Sequence, residues 1–155
     1  MRIGERPGWI GLARGLAALL LMAVAAGAGA IDNPDAPDRP GAFESRAQPF
    51  EQRLGATDGG SAAARAGQAY ATFLEAELNT AYRALLAHLQ GPPRAALVAS
   101  QRRWLQFRDA ENQFITQHWT RERSGSSASL SVAGYRNAVT KERVLQLLRY
   151  NAEYP

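Results

Sequence analysis

The chain contains no cysteine. That absence excludes disulfide staples, thiol catalysis and cysteine-ligated metals. Lysine is almost missing too: Lys141 is the only one, and every other basic residue is arginine. Histidine occurs twice, at His88 and His118. Neither has a second histidine four residues away, as an H-E-x-x-H array requires, so no metal site is expected. There is no G-x-S-x-G elbow and no glycine-rich phosphate cradle, so no cofactor is expected. Glu75/Glu77 and Asp109/Glu111 are carboxylates two residues apart. On a helix such a pair diverges by about 200° and cannot flank one bond as acid and base. No catalytic residue is assigned, and the sequence is read as non-enzymatic.

Long apolar runs are confined to the first thirty residues. Gly15 to Ala26 is an unbroken stretch of apolar and small residues, preceded by Arg2, Arg6 and Arg14. Ala28-Gly29-Ala30 supplies the small-x-small pattern that a signal peptidase cuts. Residues 1–30 are therefore expected to be a secretory signal, removed after Ala30. The run is too short for a transmembrane helix, which needs about 20 apolar residues. No cysteine follows it, so lipid attachment is not available. The mature chain is expected to be periplasmic or secreted, with no stable membrane anchor.

The net charge of +4 is unevenly spread. The signal segment carries +2 and residues 31–64 carry −3. Residues 65–155 hold twelve basic and seven acidic side chains, or +5. An acidic segment precedes a basic one. The arginine bias sits with many alanines and fits a GC-rich coding sequence. Nucleic acid is not an expected partner of an exported chain.

Residues 31–60, IDNPDAPDRPGAFESRAQPFEQRLGATDGG, hold four prolines and four glycines. The bulky anchors are Ile31, Phe43, Phe50 and Leu54. This composition predicts a flexible leader with at most a turn of helix near Phe50. From Ser61, a candidate N-cap, the pattern becomes helical. Tyr70, Phe73, Leu74, Leu78, Ala81, Tyr82, Leu85 and Leu89 recur at helical steps. Gly91 breaks the run, and Pro92-Pro93 suit the first turn of a second helix, to about Thr120. Its inner side is expected to hold Leu97, Trp104, Phe107, Glu111, Phe114 and Ile115. SGSSAS, residues 124–129, is a loop by composition. A third helix is expected over Leu130 to Asn151, with Val132, Tyr135, Val139, Arg143, Leu147 and Tyr150 on one stripe. The fold class is all-α: a small antiparallel helical bundle of about three helices.

The densest chemistry is QRRWLQFRDAEN, residues 101–112. Gln101, Trp104, Arg108 and Glu111 line one face, while Arg102, Arg103 and Asp109 point elsewhere. Arg108 can lie against the Trp104 indole one turn away and pair with Glu111. That line is read as a polar-aromatic pin between helices, so that Arg108→Met should cost much stability. Asn79 is expected to bond a neighbouring helix. RERSGSSAS, residues 121–129, presents Arg121, Arg123 and Ser126 on a flexible tip that could meet an acidic partner surface.

Three segments also carry a resemblance: ELNTAYRALL, SQRRWLQFRDAEN and NAVTKERVLQL. Together they resemble the lysozyme inhibitor LprI-like domain family, over about residues 68–150. The positions that match its pattern are Leu78, Asn79 and Tyr82, then Gln101, Arg102, Trp104, Phe107, Arg108, Asp109 and Glu111, then Thr140 and Arg143. The resemblance implies cysteines where this chain has Asn112 and Tyr135, and others near the start of the first helix. It makes this a cysteine-free member, whose packing must replace a bridge worth ~3 kcal/mol. It also implies a domain that binds a protein partner in the bacterial cell envelope, lysozyme being the named candidate. Because a lysozyme cleft holds two carboxylates, Arg121 and Arg123 are the residues it points to. The other reading is a structural or assembly module that binds a periplasmic partner or itself.

Overall fold

The computed structural model describes residues 37–154. The signal segment 1–30, its cleavage site and leader residues 31–36 lie outside the described residues. Among the described residues every regular element is helical. These are α1 (Arg39–Gly55), α2 (Gly60–His88), α3 (Gly91–His118), α4 (Arg121–Ser124) and α5 (Ala128–Ala152), with a 3-10 turn at Gly125–Ser127 between the last two. The all-α bundle is the expected fold, but it contains one more long helix than the sequence pattern suggests.

That helix is α1, inside the segment expected to be flexible. Asp38 caps it by accepting from the Gly41 amide at 2.8 Å, and Pro40 stands in its first turn. Phe43, Ala47 and Leu54 are buried, with Phe50 packed against the same core. Phe50 stacks on Phe73 at 4.6 Å and on Tyr70 at 5.9 Å. Arg46 pairs with Glu77, and Tyr70 donates to Glu51. Early α1 residues therefore meet late α2 residues, so the pair is antiparallel.

The α2–α5 packing is the spine of the molecule. Asn137 Nδ2 donates to the Gly67 carbonyl at 3.1 Å, and Asn151 Nδ2 to the Ala81 carbonyl at 2.8 Å. Later α5 residues meet later α2 residues, so these two helices run parallel while chain neighbours alternate. Their approach is close because α2 begins with small residues. Ala63, Ala66 and Gly67 are buried, and a Cβ on Gly67 would lie 2.4 Å from Ala133 Cβ. Asn79, expected to bridge helices, instead donates to Glu75 O within α2 and is exposed. Asn137 and Asn151 make the inter-helix bonds that the sequence reading gave to Asn79.

Two helix ends differ from expectation. The N-cap of α2 is Gly59, not Ser61, and it makes no side-chain cap bond. Gly59 has φ +99°, and a Cβ there would meet the Ser126 carbonyl at 2.3 Å. The α1–α2 turn is thus pressed against the turn before α5, which only glycine permits. Gly91 does not follow α2 directly; Leu89 is the C-cap, and Gly91 opens α3.

Glu51 sits between α2 and α5, accepting from Tyr70 and from Lys141 Nζ at 2.8 Å. The Lys141 bond, then the Tyr70 bond, hold its carboxyl below the usual range, while burial first and then Glu51 push Tyr70 up. A depressed carboxyl contributes stability above its unfolded value of about 4.5, lost as pH falls through the folded pKa. A raised phenol contributes stability that is lost as pH climbs above its unfolded value of about 10. Glu51 is partly exposed, so the acid effect is modest. Urea midpoints measured across pH should fall at both ends, and Glu51→Gln should flatten the acid limb between pH 4.5 and the folded pKa.

Candidate functional site: the outer face of α3 and the α3–α5 tip

α3 touches the bundle along a narrow stripe. Leu97, Gln101 and Ile115 are buried, and Trp104, Arg108 and Glu111 are half-buried between them. This is the inward line that the spacing predicts, with Arg102, Arg103 and Asp109 exposed. Arg108 lies over the Trp104 ring at 5.2 Å, as expected. Its carboxylate partner is not Glu111 but Glu75 on α2, with Asp109 at 3.7 Å. The i,i+3 pairing lost because Glu75 reaches the guanidinium across the helix gap.

This geometry changes what Arg108 contributes. The Arg108 side chain is 17% exposed and that of Glu75 47%. Removing Arg108 leaves Glu75 free to hydrate, so no buried charge is stranded. A partly exposed ion pair is worth about 1 kcal/mol or less. Arg108→Met should therefore lower the stability measured by urea unfolding by only about 1 kcal/mol, not the large loss that the sequence suggests. A loss of several kcal/mol would mean that Glu75 is held out of water.

The deeper arginine of the motif is Arg143 on α5, 6% exposed. Its Nε donates to Gln101 Oε1 at 3.0 Å, Nη2 to Ser100 Oγ at 3.3 Å and Nη1 to Gln146 Oε1. It also lies over Trp104, at 5.7 Å. Burial lowers its pKa, with Tyr150 partly offsetting this. The other motif positions divide between core and surface. Leu78 and Thr140 are buried, and Tyr82 packs on the core margin. Asn79 and Asp109 are exposed.

Four aromatics expected inside are outside. Phe107 is 55% exposed, Phe114 53%, Tyr135 51% and Tyr150 47%. Phe107 and Phe114 each lie three residues past an inward position, which turns them about 60° off the stripe. At the C-terminal end of α3, Phe114, His118, Trp119 and Tyr135 form one cluster. His118 meets Trp119 edge-on at 4.3 Å, and Trp119 stacks on Tyr135 at 4.2 Å. Tyr135 thus packs on an aromatic where the family resemblance implies a cysteine. Arg136 reaches from α5 to the Asn112 carbonyl and to Thr116 Oγ1 beside it.

The 121–129 tip is not a flexible loop. Residues 121–124 form a helical turn, 125–127 a 3-10 turn, and α5 starts at Ala128. Ser127 Oγ donates to Ser124 O, and Arg123 and Ser124 amides bond Thr120 O. Arg121, Arg123 and Ser126 are all exposed. Arg121 and Ser126 line one cleft of about 520 Å³ with Gly60, Ser61 and Ala64 of α2. Arg123 reaches the His118 carbonyl at 3.5 Å. All three are therefore brought together at the tip, with Arg121 and Ser126 sharing the cleft. The aromatic cluster beside them was missed, although Phe114, His118, Trp119 and Tyr135 are legible as aromatics flanking the turn.

The described residues thus form a helical scaffold with a polar-aromatic seam inside and exposed aromatics and arginines outside. The profile of the family described as Lysozyme inhibitor LprI matches residues 55–147, and the chain belongs to that family. Searches among curated proteins and among solved structures find no match. Among the described residues, no cluster of three or more His, Asp or Glu is placed to hold a metal. No helix among them is long and apolar enough to cross a membrane.

Proposed function

We propose that this chain is an exported, non-enzymatic protein-binding domain of the bacterial cell envelope, and that it inhibits lysozyme. Its membership of the lysozyme inhibitor family carries the reading. The ordered, exposed tip beside the Phe114–His118–Trp119–Tyr135 cluster supports it. Aromatics and arginines are the side chains that most often dominate protein interfaces. Arg121, Arg123 and Ser126 would meet the carboxylate-bearing cleft of the enzyme, and ordering before contact reduces the entropy cost of binding. The N-terminal signal pattern supports export. The +5 charge of residues 65–155 would oppose a strongly basic lysozyme and favour a less basic one.

The runner-up is an assembly module. The exposure of Phe107 and Phe114 along one side of α3 favours it. Sedimentation separates the two: a dimer lost in Phe107→Ser/Phe114→Ser supports assembly, and a monomer leaves inhibition as the reading.

A further inference from the structure

Arg143 is more deeply buried than Arg108, yet its electrostatic environment is poorer. Arg108 has Glu75 and Asp109, whereas Arg143 has only Gln101, Ser100 and Gln146, all neutral acceptors. Among the described residues no carboxylate lies within 4.0 Å of Arg143. A guanidinium stays protonated at any physiological pH, even with its pKa lowered by burial. A buried cation without an anion is costly, and folds seldom keep one without a use. Of its five N–H donors three are engaged here, which leaves two for another acceptor.

Arg143 nonetheless borders open space. It lines a groove of about 430 Å³ between α3 and α5, with Trp104, Phe107, Val139, Glu142, Gln146 and Arg149. Gln146 is exposed and offers its amide oxygen to Arg143, while its Nε2 donates to Tyr150 OH at 3.2 Å. That amide oxygen occupies the place where a carboxylate oxygen would bind more strongly. Phe107 supplies an exposed apolar wall, and Arg149 a second cation. Glu142 also lines the groove, so two cations against one carboxylate leave it a net charge of +1, enough for one anionic group.

We propose that this α3–α5 groove binds a carboxylate of an acidic peptide segment on a partner protein, which displaces Gln146 to pair with Arg143 and lays its stem on Phe107. A charge-assisted bond is roughly twice as strong as the neutral one it replaces. The site is separate from the 121–129 tip, and it stands whether or not lysozyme is the partner.

The test is an NMR titration of the full chain, following the Trp104 indole N–H and the Arg143 Nε–H. The probes are a blocked tri-glutamate peptide, a tri-glutamine peptide and inorganic phosphate, at matched ionic strength. Tri-glutamate should shift both resonances saturably with a Kd of about 1 mM, and tri-glutamine should not. Gln146→Glu places a carboxylate on Arg143 from within. It should keep the fold, raise the melting temperature, and weaken the peptide by more than about tenfold. Glu142→Gln should tighten it about twofold by removing the opposing charge. The inference is overturned if the folded protein shows no saturable shift at these two groups. It is equally overturned if Gln146→Glu binds as well as the parent, or if phosphate or tri-glutamine binds as tightly as tri-glutamate.

Discussion

Phe43→Ala should lower the folding free energy by about 3–5 kcal/mol, the usual cost of emptying a buried phenylalanine site. Phe43 is fully buried and stacks on Phe73 at 6.1 Å. Against a typical total of about 5–15 kcal/mol, this is a large fraction. The other α1 contacts cannot replace it. The Arg46–Glu77 pair is exposed on the arginine side and worth at most about 1 kcal/mol. α1 lies almost wholly outside residues 55–147, the span that matches the family. It therefore supplies packing that the matched span lacks, in a chain with no disulfide. Urea unfolding of parent and variant checks this. A loss under about 1 kcal/mol would mean that α1 is not docked.

Gly67→Leu should be the second large effect, about 3 kcal/mol or more. In an isolated helix, replacing glycine gains about 1 kcal/mol in backbone entropy. Here the gain is outweighed. Even the first added carbon would sit 2.4 Å from Ala133 Cβ, and neither carbon can rotate away. α2 and α5 would have to separate, and Asn137 would lose its bond to the Gly67 carbonyl. Gly67→Ala shows the balance more finely. Its expected net loss is about 1–2 kcal/mol, the overpacking cost less the propensity gain. An alanine variant more stable than the parent, by urea midpoint, would show that the helices sit further apart.

The helical class and the hairpin around Gly91 were legible because apolar periodicity records burial directly, and the inward line of 101–111 because its mostly polar residues keep the same helical spacing. α1 was hidden by its prolines and glycines. Yet Phe43, Ala47, Phe50 and Leu54 are spaced 4, 3 and 4, a helical step that counting alanine as apolar would have exposed. Pro40 falls in the first turn, where it is tolerated, whereas Pro49 lies inside α1 and costs it one backbone bond, a cost the buried Phe43, Ala47 and Leu54 must outweigh. α5 was misread for the opposite reason. Its buried stripe includes Asn137, Thr140 and Asn151 beside the expected Arg143, and a search for apolar residues passes over the first three. They can be buried because α2 and α3 supply acceptors: the Gly67 and Ala81 carbonyls, and Gln101. Phe107, Phe114 and Tyr135 failed as core predictions because hydrophobicity alone does not separate a core face from an exposed one.

Inhibition of lysozymes by the full chain tests the central claim most directly, with an Arg121→Glu/Arg123→Glu variant beside it. The account predicts saturable inhibition of at least one less basic lysozyme at micromolar protein. It predicts a loss of more than about tenfold in the charge-reversed variant, with unchanged melting temperature. Lysozymes of several types left uninhibited at micromolar excess would contradict it, as would inhibition undiminished in the variant.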